Sequence, residues 1–243
     1  RDRDVTGVQT CALPICRQDQ KLEGANPVAD RAVGIPFAKE GFPFIGAAAG
    51  VTLCAGWLGW TPVAALGAGL TLFVSWFFRN PARVIPEGPG LVVAPGDGKV
   101  IAIEEEFEPR YLKEKSLRIT IFLNVFDVHI NRIPCEGTIE DVQYQPGLFL
   151  VASKPEATVK NEQNALMIKT TSGVKVLCVQ VAGLIARRIV CWVSPKDRAI
   201  RGERYGLIRF GSRMDTFLPL GTNVRVAVGD RVKGGETILG DLR

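Results

Sequence analysis

The chain has 243 residues, 47% of them hydrophobic and 23% charged, which suits one compact domain with an apolar appendage better than two full domains. Lys and Arg number 30 against 25 Asp and Glu, and the resulting +5 charge favours anionic surfaces such as phospholipid head groups. No basic run interleaved with aromatics supports nucleic-acid binding, and a single histidine with six scattered cysteines, none in a C-x-x-C pair, gives no support to a metal site.

From the N-terminus, residues 1–15 contain GVQTCALPI, which resembles the translation of a sequencing adapter and is set aside from the fold argument. Residues 16–41 form a short leading segment. Residues 41–78 then carry no charged side chain, a run that favours a membrane over a soluble core holding a buried helical pair. As one straight helix this run would extend about 57 Å, against a hydrocarbon thickness of roughly 30 Å, so it is expected to fold back on itself. Trp57, Gly59, Trp60 and Pro62 mark the turn, predicting helices over 43–59 and 62–78 and a membrane hairpin over 42–78. Such a hairpin either spans the bilayer or dips into it. Lys39, Arg79 and Arg83 flank it and its turn is uncharged, which puts both ends, and the domain that follows, on the cytoplasmic side of the inner membrane.

After Pro86 the pattern changes to short Val- and Ile-rich segments separated by Gly, Pro and charge, predicting strands near 98–104, 117–125, 137–144, 165–171, 174–182, 185–193 and 223–228. Residues 79–243 are therefore expected to form a mainly β domain. The tail VRVAVGDRVKGGETILGDL has the cadence of lipoyl-like barrel-sandwich domains, although Gly-Asp and Gly-Gly are turn signals in their own right.

Three segments offer chemistry. Asp97 in VVAPGDGKV reads first as a hairpin turn and second as a group that polarises a base or nucleophile. His129 in NVFDVHINRIPC is either a hydrogen-bonded structural imidazole or an acid–base group, with Asp127 and Arg132 as neighbours in sequence. Gly211-Ser212 in YGLIRFGSRMDTFLP is ordinarily a turn or bulge. In a self-cutting chain, glycine would leave its carbonyl open to the hydroxyl that follows.

Together WFFRNPARVIP (76–86), VVAPGDGKV (92–100), NVFDVHINR (124–132), QVAGLIARRIVC (180–191) and GLIRFGSRMDTFLP (206–219) resemble, in order, the short-type phosphatidylserine decarboxylase proenzymes over roughly residues 31–243. The resemblance implies autocatalytic cleavage at Gly211-Ser212. The products would be chains 1–211 (β) and 212–243 (α), held as a heterodimer, with Ser212 converted to a covalent pyruvoyl cofactor. It further implies a Schiff base with phosphatidylserine, loss of CO2 and release of phosphatidylethanolamine. His129 matches a functional histidine of the family and is the expected proton donor; Asp97 matches an acidic residue linked to self-cleavage. Where longer relatives carry a second histidine three positions on, this chain has Arg132, expected instead to bind the substrate's carboxylate or phosphate. The resemblance implies no metal at such a site, and a homo-oligomer is compatible with it. Two competing readings are a non-catalytic membrane-tethered lipoyl- or biotinyl-like module, with Lys99 or Lys233 modified, and a pyruvoyl decarboxylase for another serine-headed lipid such as archaetidylserine.

Overall fold

The computed structural model describes residues 36–150, 160–183, 188–209 and 211–242. A short 3-10 turn (Lys39–Gly41) leads into helix α1 (Phe42–Trp57), and α2 (Thr61–Phe77) follows antiparallel to it. Each helix has a proline in its first turn, where the missing N–H costs nothing, and Gly59 at φ +72° makes the reversal between them. The predicted pair of helices is therefore present, with its turn in the expected place. Thr52 and Thr71 hydroxyls meet across the pair at 3.3 Å, and Gly67 lets the backbones approach beside Thr52. The outer flanks are apolar and exposed, with Leu53 73%, Trp57 88% and Leu66 77% accessible. Neither helix is long and apolar enough to cross a membrane.

The rest is β structure: β1 (Leu91–Val93), β2 (Gly98–Glu108), β3 (Glu114–Leu123), β4 (Ile130–Arg132), β5 (Gly137–Gln145), β6 (Gln163–Lys169), β7 (Lys175–Ala182), β8 (Ile189–Cys191), β9 (Arg198–Ala199), β10 (Arg204–Ile208), β11 (Ser212–Pro219), β12 (Asn223–Val224), β13 (Arg231–Val232) and β14 (Ile238–Asp241). Among the described residues eight strands form one curled antiparallel sheet, in the order β13-β2-β3-β11-β7-β6-β5-β9. Two three-stranded sheets, β4-β10-β8 and β1-β14-β12, share its core through Val92, Leu239, Tyr205 and Ile208. The mainly β expectation therefore holds. The predicted strand 223–228 shrinks to β12, and 185–193 keeps β8, part of its range lying outside the described residues.

Strand β11 is central. It pairs with β3 from Ser212↔Leu123 to Pro219↔Ser116, and with β7 from Ser212↔Ala182 to Phe217↔Leu177. Met214 and Leu218 enter the main core with Ile119, Ile121, Leu123, Leu166 and Cys178. Each such side chain contributes about 1.5–3 kcal/mol on burial. On the opposite face Phe217 packs with Ala165, Met167 and Leu177, and Arg213 and Asp215 form a buried ion pair at 2.8 Å. All four described cysteines, Cys54, Cys135, Cys178 and Cys191, are free thiols.

The hairpin packs onto this domain at its base. Ala38, Phe77 and Phe78 share a core with Val128, Ile130 and Leu207. Phe44 stacks on Phe78 at 5.7 Å, and Trp192 Nε1 donates to Glu40 at 2.9 Å.

Candidate active site

The β3 strand ends at Leu123, and the chain turns through residues 124–127. Asn124 N–H donates to the Asp127 carboxylate at 2.8 Å, and Asp127 N–H donates to the Asn124 carbonyl at 2.9 Å. This Asx-type turn aims the next residues inward, so His129 is fully buried just before β4. Its Nε2 accepts the Gly211 N–H at 3.2 Å, which fixes the tautomer: Nδ1 carries the hydrogen and donates to the Asp127 carbonyl at 2.9 Å. Burial pushes the imidazole pKa down to about 4, reinforced by Arg79 and opposed by the Asp127 hydrogen bond. The imidazole is thus neutral at physiological pH, with its Nε2 lone pair turned toward the Gly211-Ser212 link.

Gly211 has φ +67°, a conformation that strains any residue with a Cβ. A Cβ built there would meet only Val125 Cγ1, at 4.0 Å, so one side of Gly211 is open. Ser212 begins β11, locked between β3 and β7, and its Oγ is buried with no hydrogen-bond partner among the described residues. A buried hydroxyl without a partner is costly in a structural role, whereas a nucleophile needs its lone pairs free. Ser212, Gly211 and His129 are therefore brought together, with the imidazole bonded to the glycine amide rather than to the hydroxyl.

Asp97 is placed differently. It sits in the turn between β1 and β2, where Arg83 Nη2 donates to both its oxygens at 2.9 and 2.7 Å and Gly234 N–H donates to Oδ1 at 2.8 Å. These bonds clamp the segment after the hairpin to the turn at Gly234; the carboxylate hydrogen-bonds neither His129 nor Ser212. Arg132 donates to the carbonyls of Gly202 at 2.8 Å and Pro81 at 3.1 Å. Its burial, with Arg83 and Arg204 nearby, lowers its pKa to about 10.

Two features were not anticipated from sequence. Phe77 lies with its ring 4.4 Å from the His129 ring, although the sequence marks it only as one more apolar residue of the hairpin. Next to His129 along the chain, Asn131 accepts from Gln180 Nε2 at 2.7 Å, and Gln180 accepts from Asn164 at 2.8 Å, a fully buried amide chain. Polar residues at 164 and 180 within otherwise apolar strands were the available signal.

The profile of the family described as Phosphatidylserine decarboxylase matches residues 70–240. A relative named phosphatidylserine decarboxylase proenzyme from Syntrophus aciditrophicus (strain SB) is 48% identical over 206 residues, covering 84% of this chain and 96% of that protein. Proteins with the same name from Nitrosomonas europaea and Geotalea uraniireducens are each 49% identical, over 209 and 207 residues, covering 84% and 85% of this chain and 94% and 97% of theirs.

Proposed function

This chain belongs to the phosphatidylserine decarboxylase family, and from that premise we propose that it is a carboxy-lyase whose reactive group is made from its own Ser212. The reaction is decarboxylation of phosphatidylserine to phosphatidylethanolamine and CO2. The observation that carries the self-processing reading is the partnerless, buried Ser212 Oγ behind a positive-φ glycine whose amide is bonded to His129.

In the processing step Ser212 Oγ bonds to the Gly211 carbonyl carbon, the Gly211–Ser212 amide bond breaks, and the hydroxyl proton moves to the freed nitrogen, giving an ester. Loss of the Ser212 Cα proton then expels the Gly211 carboxylate and leaves dehydroalanine. Water converts this to a pyruvoyl group with release of ammonia. The open side of Gly211 and the buried position of Ser212 fit a group made in place. That ketone, once formed, supplies a sink for the electrons left behind when CO2 departs.

The chain's own residues supply the rest. His129, a neutral base at Nε2, is positioned to accept a proton during processing and later to return one to carbon. Asp97 supports processing through the Arg83 clamp, and Arg132 holds the 81 and 202 backbone around the site. The apolar hairpin lies in the inner membrane with the β domain on its cytoplasmic side, so that a diacyl substrate presents its head group without leaving the bilayer. The two processed chains remain together as a heterodimer.

Mass spectrometry of the purified protein tests this reading. The expected result is two chains, split between 211 and 212, with the smaller blocked at its first residue, and Ser212→Ala should remain intact and inactive. Full activity in an uncut wild-type chain would overturn it.

A further inference from the structure

We infer that Gly211 takes on a second duty once the chain is cut: as the new end of the larger chain, its carboxylate becomes the counter-charge of His129 and keeps a proton on that imidazole. This rests on the cleavage reading above. The geometry supporting it is the 3.2 Å hydrogen bond from Gly211 N–H to His129 Nε2, a bond that a proton on Nε2 would replace with one donated to the new carboxylate. The carboxyl carbon of a residue is two bonds from its own nitrogen, which places the new carboxylate oxygens roughly 4–6 Å from Nε2, where an opposite charge favours the ionised form. In the intact chain the same carbonyl belongs to an amide and carries no charge.

The other charged groups around His129 do not fill this role. Arg79 follows α2 and is a cation, its guanidinium donating to the carbonyls of Trp76 and Phe126 at 2.9 and 2.7 Å. The Asp127 carboxylate is turned away to Asn124 N–H and to Arg231, 3.4 Å from it. From α2 the imidazole faces the apolar ring of Phe77. Among the described residues no carboxylate hydrogen-bonds the imidazole, so cutting supplies the first one beside Nε2.

The two reactions need opposite states of the same ring. Processing needs a neutral ring with its lone pair on Nε2, whereas decarboxylation ends with a proton delivered to carbon, which an imidazole holding no spare proton cannot give. The elimination that expels the Gly211 carboxylate also releases the Ser212 Cα proton. One negative and one positive charge therefore appear together, and the proton lodging on His129 balances the new carboxylate. Cutting thereby converts the residue from base to acid in the step that creates the reactive group.

Because His129 is the chain's sole histidine, isotope-labelled histidine gives one imidazole NMR titration in detergent micelles. Uncut Ser212→Ala should titrate near 4, the processed wild type roughly three units higher, so that the proton is held near neutral pH. Borohydride reduction of the ketone should leave the raised value in place. Two chains with His129 still titrating near 4 would overturn the inference and leave the cleavage reading standing. Loss of the shift on reduction would assign it to the ketone and also overturn it. A single intact, active chain would overturn both.

Discussion

The Phe77 ring lies 4.4 Å from the imidazole of His129, so the last residue of the hairpin is a wall of the site and not a distant tether. This contact excludes water from one face of the ring, and exclusion of water is the largest cause of its lowered pKa. Phe77→Ala would cost about 3–5 kcal/mol of stability, so Phe77→Leu, at about 1 kcal/mol, is the better probe. In the uncut Ser212→Ala background, Phe77→Leu should move the His129 titration upward from about 4 toward its ordinary 6.5. Leu66→Ser, on the exposed flank of the hairpin, should leave it in place. Identical titrations in the two variants would show that Phe77 does not govern the imidazole.

Acid should weaken the uncut form. The folded-state pKa of His129, about 4, lies below the ordinary 6.5, so between these values the unfolded chain binds the extra proton. The stability contributed by the neutral buried ring is complete above about pH 6.5 and is lost as pH falls toward 4, with a size on the order of 3 kcal/mol. Urea unfolding of Ser212→Ala at pH 7.5 and 4.5 should show this loss. Adding His129→Gln should flatten the dependence over that window.

Asp97 and Arg83 are expected to act as one unit. The carboxylate receives two bonds from Arg83 and one from Gly234, and the two side chains are only 16% and 7% exposed. Removing either partner leaves a largely buried charge, at a cost of about 2 kcal/mol. Asp97→Asn and Arg83→Met should therefore slow self-cleavage to a similar degree, as read from the ratio of cut to uncut chain over time. A defect confined to Asp97→Asn would assign the carboxylate a direct part in proton transfer.

For Arg132, bonds to the Gly202 and Pro81 carbonyls imply a supporting role. Arg132→Met should lower stability by about 1–3 kcal/mol through the stranded carbonyls, with KM for a soluble short-chain phosphatidylserine little changed. A large rise in KM with stability intact would instead place the guanidinium on the substrate.

The hairpin was legible because an uncharged run with Trp57, Gly59, Trp60 and Pro62 at its middle has few ways to fold, and β2, β3 and β7 announce themselves by runs of Val, Ile and Leu, β5 and β6 by shorter apolar segments. Strand β11 was harder to see. Arg213 and Asp215 break its apolar pattern, yet they stand on one face two residues apart and neutralise each other in the interior. A pairing of that kind is visible only once the neighbouring strands are in place. The position of Asp97 followed the same logic: the sequence shows a Gly-Asp-Gly turn, while the partner that occupies its carboxylate lies 14 residues earlier. His129 and Ser212 were singled out through motif order, but the dryness of the imidazole depends on a contact from another element, which linear spacing does not encode.

Strand β11 begins at Ser212 and runs between two partners, hydrogen-bonded to both from its first residue. A nick immediately before it would therefore create two polypeptides that dilution cannot pull apart, because extracting the 32-residue fragment means tearing out the middle of the sheet. Because the two chains separate only when the sheet unfolds, their melting temperature should rise with protein concentration, while the folded pair stays whole at working dilutions.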